Sequence, residues 1–453
     1  MINGPTREGT VSGQRYLSGN YAPVTEEVTA VDLPVTGRIP EELEGRYLRN
    51  GPNPVVSPDP DSYHWFVGDG MVHGVRLGGG RAGWYRNRWV RSAAVATALG
   101  ETPRPVGALD AAPNTNVIGH AGRTFALVES GPPPYELTYE LDTVGPADFD
   151  GTLDTAFTAH PQRDPVSGEL HAISYHWGWG PMVRYRIIGT DGRVRRQEDI
   201  EVGGPISVHD MSITERWAVV YDMPVVFSME AAMGGASFPY RWDAEYTTRV
   251  GLVPKDGPVG TPPVWLEIDP CYVFHPLNAF DQDDQVVLDV IRHDHVFRTD
   301  VNGPSDSTPT LERWILDPTA GMVKQERLDD RGQEFPRVDE RRVGRPYRFG
   351  YTTGAEWNGA RDVVIRHDLE AGTSESRPLG AGTGASEPVF VPRSPTSEED
   401  DGWVLCLSYD SDRGASDLLV LNGADLTGQP EAIVHLPARV PVGFHGNWVP
   451  DAS

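Results

Sequence analysis

Short runs rich in β-branched and aromatic residues recur from about residue 40 to the C-terminus, separated by clusters of Gly, Asp, Asn and Pro. Thr124 to Val128, Met182 to Ile188, Trp217 to Tyr221, Gln285 to Ile291, Tyr347 to Tyr351, Trp403 to Tyr409 and Leu418 to Leu421 read as strands. Asp191-Gly192, Asn358-Gly359 and Asn422-Gly423 adjoin such runs, and their residues tolerate the positive φ of tight turns. Long helical periodicity is absent from the pattern, and no composition break marks a linker. Many antiparallel strands without a boundary predict one large closed all-β body. Radial repetition of four-stranded sheets is how such a body reaches 453 residues, so a β-propeller is expected, although no Trp-Asp signature repeats along the chain.

Composition changes that picture little but removes several functions. Lys+Arg number 39 against 65 Asp+Glu, a net charge of -26 that repels phosphate backbones, so nucleic acid is not an expected partner. With only Cys271 and Cys406 there is no disulfide framework, a reducing compartment is expected, and any metal must rest on His or carboxylates. The start MINGPTREGTVSG lacks the basic and apolar segments of a signal peptide, and no run of about 18 apolar residues occurs. The expectation is a cytoplasmic protein, with peripheral membrane contact left open.

The chemistry lies in the 13 histidines. His171, His176, His293, His295, His367 and His435 sit in or beside strand-like runs and read as structural, partly buried and bonded to neighbouring backbone. His64 and His73, flanking Gly68-Asp69-Gly70, read the same way. Four others have distinctive flanks: Thr158-Ala159-His160-Pro161, Ser207-Val208-His209-Asp210-Met211, Phe274-His275-Pro276-Leu277-Asn278-Ala279 and Gly443-Phe444-His445-Gly446-Asn447-Trp448. They are too dispersed for a local motif such as His-Glu-x-x-His. In a propeller, however, the inner strands of successive blades line one axis, and four such residues can converge on a metal.

At these residues the chain resembles the carotenoid cleavage oxygenases. The likeness begins at Gly45 to Pro54, continues through His64 to His73 and Tyr85 to Arg91, takes in the four His contexts, and includes Glu334 to Asp339 and Ser386 to Val391. It runs in consistent order from about residue 30 to 449. The resemblance implies a seven-bladed propeller over 31-453, capped by long loops and short helices, after an N-terminal extension of residues 1-30. It implies one Fe(2+) per chain on His160, His209, His275 and His445, with O2 as cosubstrate and no organic cofactor. Glu129, Glu334 and Glu387 then hold His209, His275 and His445, which leaves His160 without a carboxylate. No side chain beyond the metal ligands is implied as catalytic. Thr115 is placed beside the iron's remaining coordination position, and Phe66 in the substrate cavity.

The implied reaction is oxidative cleavage of a C=C bond in a lipophilic carotenoid or apocarotenoid to two carbonyl products, with no obligate protein partner. Stilbenes or phenylpropenoids are the alternative substrates; relatives that cleave them often carry Lys before the first Glu, where this chain has Val128. A different class, a calcium-binding propeller lactonase or scaffold, would use the oxygens of Asp281, Asp283 and Asp284. Met223 to Met233 gathers three Met in an apolar stretch that could touch a membrane locally. The strong negative charge predicts an acidic exterior around an apolar, nearly charge-free tunnel, its main exceptions being the three glutamates.

Overall fold

The computed structural model describes residues 15–451 apart from 106, 108, 304–305, 356–361 and 381–382. The N-terminal segment read for a signal peptide and the Asn358-Gly359 turn lie outside the described residues. Antiparallel sheets form seven blades of a β-propeller, and α-helix is confined to short pieces such as Ala93–Ala98 and Met229–Met233.

Most blades follow the chain. One runs Asn116–His120, Arg123–Leu127, Tyr135–Leu137 and Thr143–Pro146, and another Tyr272–Gln282, Gln285–His293, Thr310–Asp317 and Met322–Asp329. Two blades are closed by the far end of the sequence. C-terminal Gly446–Pro450 pairs with Gly45–Pro52, and N-terminal Val35–Gly37 adds to Ala432–His435. Strand Thr29–Val31 pairs with Arg81–Trp89 and so lies across the boundary expected at residue 30. Tethering both chain ends in this way leaves no free seam at which the ring could open.

Period-2 alternation is clearest in outer strands, because only one face of each is covered. Met322–Asp329 is exposed or half-buried along its length and carries Lys324, Glu326 and Arg327, charges that blunt an edge strand. Inner strands are buried on both faces, as in Gln285–His293, and read as continuous apolar runs. Between blades the layers are filled by side chains such as Trp314, Trp403, Tyr185 and Tyr351, all nearly inaccessible. Each fully buried large apolar side chain contributes about 1.5–3 kcal/mol relative to exposure.

The runs read as strands all fall within or overlap observed strands, for example Arg123–Leu127, Trp217–Asp222 and Gly402–Asp410. Asp191-Gly192 closes a hairpin with Gly192 at φ 79°. Asn422-Gly423 opens a longer hairpin connection, the partner strand starting only at Ala432, and Gly423 is needed because a Cβ there would stand 2.7 Å from the Asp400 carbonyl. Asp281, Asp283 and Asp284 surround the turn between Tyr272–Gln282 and Gln285–His293, and Asp281 pairs with Arg216 at 3.0 Å. Among the described residues the three aspartates form no group that could hold a metal ion.

Candidate metal centre

The first strands of neighbouring blades pack against one another around the axis, and the start of each supplies a residue to the centre. Thr115 precedes Asn116–His120, His160 precedes Gln162–Arg163, and His209 precedes Ser212–Ile213. His275 lies in Tyr272–Gln282 and Glu334 in Gln333–Val338. Glu387 occupies the break between Thr383–Ala385 and Val389–Pro392, and His445 precedes Gly446–Pro450. Glu129 arrives differently, just after Arg123–Leu127. The strands carrying His275 and Glu334 are bulged there, with register shifts at Val273/Pro276 and Glu334/Arg337. A bulge re-aims side chains that the pleat would otherwise send into the blade. Phe335, at φ 53°, holds a left-handed backbone that costs about 1–3 kcal/mol. Its N–H donates to Glu334 Oε2 at 2.6 Å, so the strain directly serves the site.

His160, His209, His275 and His445 are all buried, and one ring nitrogen from each lies within 4.8 Å of the others. Among the described residues this is the one cluster of potential metal-binding side chains. Nδ1 of His209, His275 and His445 stands 2.8, 2.6 and 3.0 Å from Glu129, Glu334 and Glu387 respectively. Carboxylates accept, so these rings donate Nδ1–H and, when neutral, keep their lone pairs on Nε2. Those nitrogens face inward, 3.2 Å apart between His209 and His275 and 3.1 Å between His275 and His445. Facing lone pairs at that distance cannot be hydrogen bonds, and His160 Nε2 is buried with no partner at all. A cation resolves the conflict: nitrogens about 2.1 Å from a metal and at right angles to each other stand about 3.0 Å apart. The donor set therefore fits a metal ion.

Electrostatics point the same way. Burial pushes Glu387 up, yet Arg337 and His445 outweigh it and hold the carboxyl down at about 2. Glu334 is likewise held far below the carboxylate range, burial being overcome by His275 and His293. Burial lowers His275 to about 4 against the pull of Glu334, and takes His160 well below its ordinary value. His445 is also lowered by burial, while His209 is raised because Glu129 outweighs it. Arg337 Nη1 reaches Glu387 at 3.2 Å. The single guanidinium offsets only one of the three glutamates, so the pocket favours a cation.

His160 differs from the other three rings: its nearest carboxylate is Asp210, and that contact is longer than a hydrogen bond. Asp210 Oδ2 stands 3.5 Å from its Nδ1, while Asp210 Oδ1 accepts from the Met211 N–H at 2.6 Å and from Gln162 Nε2 at 3.0 Å. Burial raises Asp210 to about 7. His293, expected to bond to neighbouring backbone, instead donates its Nε2–H to Glu334 Oε1 at 2.9 Å. His64 and His73 are structural as expected, His64 accepting from the Phe66 N–H at 3.1 Å and His73 meeting the Tyr85 hydroxyl at 3.0 Å.

A cavity of about 460 Å³ opens onto His209, His275 and His445, within the usual size of a small-molecule site. Its wall is largely aromatic, with Trp65, Phe66, Phe238, Phe274, Phe335 and Phe444. Phe66 meets Phe238 and Phe444 edge-on at 5.6 Å each. Thr115 also faces the cavity; its hydroxyl donates to Asn114 Oδ1 at 2.9 Å and its carbonyl accepts from the His445 N–H at 3.1 Å. The Gly68-Asp69-Gly70 turn sets both. Asn114 Nδ2 donates to the Phe66 and Gly68 carbonyls, and a Cβ on Gly70 would collide with the Pro113 carbonyl at 1.8 Å. The wall is not nearly charge-free, because Arg15, Asp69 and Asp110 reach it besides Glu129 and Glu334. The aspartates are tied to backbone, Asp69 accepting from the Val55 N–H at 3.1 Å and Asp110 from the Ala93 N–H at 2.7 Å.

The Met-rich stretch divides. Met223 is buried, whereas Met229 and Met233 are 56% and 83% exposed on a short helix between the paired strands Val225–Phe227 and Tyr240–Trp242. Trp177, also exposed, stacks on Phe227 at 5.0 Å, and Phe238 to Tyr240 from the same excursion line the cavity.

The sequence model of the retinal pigment epithelial membrane protein family, RPE65, matches residues 21–450. The carotenoid cleavage oxygenase of Mycobacterium tuberculosis is 47% identical across 98% of this chain and 99% of its own. A carotenoid 9,10(9',10')-cleavage dioxygenase of Phaseolus vulgaris is 31% identical across 96% of this chain and 89% of its own. Among solved structures, the lignostilbene dioxygenase of Pseudomonas brassicacearum superposes with a TM-score of 0.87 at 28% identity, covering 96% of this chain and 98% of that one. Synechocystis apocarotenoid oxygenase gives 0.86 at 28% identity, covering 98% and 100%.

Proposed function

The chain belongs to the carotenoid cleavage oxygenase family, and from that premise we propose that it is an iron(II)-dependent dioxygenase that splits a C=C bond of a carotenoid or apocarotenoid into two carbonyl products. His160, His209, His275 and His445 are the metal ligands in this reading. The observation that carries it is the set of inward Nε2 atoms 3.1–3.2 Å apart with their Nδ1 positions fixed by buried glutamates.

Iron, when bound, supplies activation of O2 beside the alkene; imidazole donors suit Fe(II), and neutral ones add no charge to it. The protein's own part is positioning. Glu129, Glu334 and Glu387 fix ring orientation and tautomer, and loss of such partners typically weakens metal sites 10- to 100-fold. The aromatic wall of Phe66, Phe238 and Phe274 excludes water and selects which double bond lies at the centre. Thr115, hydrogen-bonded to the His445 backbone, lies on the wall beside that ligand.

A carotenoid-derived substrate is favoured over a hydroxystilbene by the apolar Val128 on the cavity wall and by the 47% identical relative named for carotenoid cleavage. Among the described residues no helix is long and apolar enough to cross a membrane. We place the chain in the cytoplasm, reaching lipid-dissolved substrate through Met229, Met233 and the Trp177–Phe227 stack, which present apolar side chains on the excursion that also lines the cavity.

Metal analysis tests the reading. Protein reconstituted anaerobically with ferrous iron retains about one iron per chain, and His209→Ala and His445→Ala both lose it together with cleavage activity. Calcium without iron, or full activity in both variants, overturns it.

A further inference from the structure

Resting on that reading, we propose that His293 is a positioning residue for the metal, which it steadies through Glu334 and His275. His275 and His293 stand on the two strands of one hairpin, Tyr272–Gln282 and Gln285–His293, and Glu334 comes from Gln333–Val338 of another blade. Glu334 Oε2 accepts from His275 Nδ1 and from the Phe335 N–H, each at 2.6 Å. Its Oε1 accepts from His293 Nε2 at 2.9 Å. An ionised carboxylate only accepts, so His293 donates whichever charge its ring carries. The three side chains are buried, and the clamp joins two blades at the axis.

The third donor does what the other two cannot. The last torsion of a Glu side chain is soft and roughly two-fold, so donors gathered on one oxygen leave the carboxylate plane free to turn about them. A donor on the second oxygen removes that freedom, and Glu334 then offers His275 an acceptor fixed in direction as well as in distance. The other two glutamates are held differently. Glu387 Oε2 accepts from the Gly446 N–H at 2.8 Å and meets Arg337 Nη1 at 3.2 Å, whereas Glu129 Oε2 is buried with no partner. Without His293, Glu334 Oε1 would stand as Glu129 Oε2 does, a buried acceptor lacking a donor, at the cost of a hydrogen bond or more. Packing gives His293 a second and separable role. Its ring stands edge-on to Phe274 at 5.2 Å, a contact that a phenyl ring reproduces.

The test compares His293→Phe, which keeps a ring and removes the donor, with His293→Gln, whose amide N–H donates. Competition against a chromophoric chelator reads ferrous-ion affinity: His293→Phe is expected to lose about tenfold, and His293→Gln to recover most of that loss. Cobalt(II)-loaded protein supplies a readout that general loosening would not give. Its paramagnetism shifts the Nδ1–H protons of the ligating rings far outside the ordinary proton NMR range, with one line each from His209, His275 and His445. In His293→Phe the His275 line alone moves or exchanges faster with solvent, and it returns in His293→Gln. Wild-type affinity in His293→Phe, or three unmoved lines, overturns the inference. So does a His293→Gln protein as weak as His293→Phe, or an equal disturbance of all three lines. If His293→Phe does not fold, His293→Gln decides alone: near-wild-type affinity with the His275 line retained supports the inference, and loss of either overturns it. A wild type that binds no ferrous ion refutes the metal reading and the inference together, whereas one whose binding is unaffected by His293→Phe refutes the inference only.

Discussion

Removing the Glu387 carboxylate separates its two tasks. Its Oε1 is 3.0 Å from His445 Nδ1, while its Oε2 accepts from the Gly446 N–H at 2.8 Å and lies 3.2 Å from Arg337 Nη1. In Glu387→Ala the ring of His445 loses its only orienting carboxylate, and metal affinity falls about 10- to 100-fold, or roughly 1.4–2.7 kcal/mol. The metal-free fold also suffers, because Arg337 is left buried. Removing one partner of a buried pair costs about 3–5 kcal/mol, and the lower end applies here. Arg337 keeps Glu340 at 2.6 Å, together with the Gly446 carbonyl and Asn447 Oδ1, each at 2.9 Å. Glu387→Gln retains an acceptor for His445 and loses only charge, so its metal affinity lies between wild type and Ala. Competition against a chromophoric chelator reads the affinity, and urea unfolding of the metal-free protein reads the stability. A folded Glu387→Ala protein that binds ferrous iron as tightly as the wild type refutes the orientation argument.

Acid should unfold the metal-free protein through its imidazoles. Burial lowers His64 and His171 to about 3, and His275 and His367 to about 4, so below an ordinary pKa of about 6.5 the unfolded chain binds more protons than the fold. The stability these groups confer is present above about 6.5 and is lost as the pH falls towards 4 and 3; urea midpoints measured across that range should decline steadily, and a flat profile contradicts the assignment. At the surface, Met229→Glu with Met233→Glu should abolish co-sedimentation with neutral phosphatidylcholine vesicles while leaving the metal content unchanged. Unaltered vesicle binding would move the docking site elsewhere.

The strands were legible because apolar inner strands and alternating outer strands leave different marks on the sequence. Convergence of the four histidines was legible only through the resemblance, since the residues between His160 and His445 carry no spacing that reports blade geometry. Asp210 was hidden for a local reason. It follows a ligand directly, and in a regular strand neighbouring side chains point to opposite faces; here the segment before Ser212 is irregular, and both side chains reach the centre. His293 left a fainter trace. An unshifted hairpin from Gln282↔Gln285 would set His293 opposite Phe274, but the shifts around Pro276 set it opposite Tyr272, so strand register did not point to its contact with Glu334. Gly423 was misread because a close approach and a positive φ select the same residue. The acidic exterior remains compatible with an oily cavity, since the carboxylates on the wall are tied to ring or backbone N–H groups.

The most direct measurement of the central claim is isotopic. Iron-loaded protein is mixed anaerobically with a panel of apocarotenals, carotenoids and hydroxystilbenes, 18O2 is admitted, and the products are weighed by mass spectrometry. The account predicts label in both carbonyl products from a carotenoid-derived polyene, and none when His209→Ala replaces the wild type. Label in only one product, cleavage without iron, or reaction confined to stilbenes would contradict it.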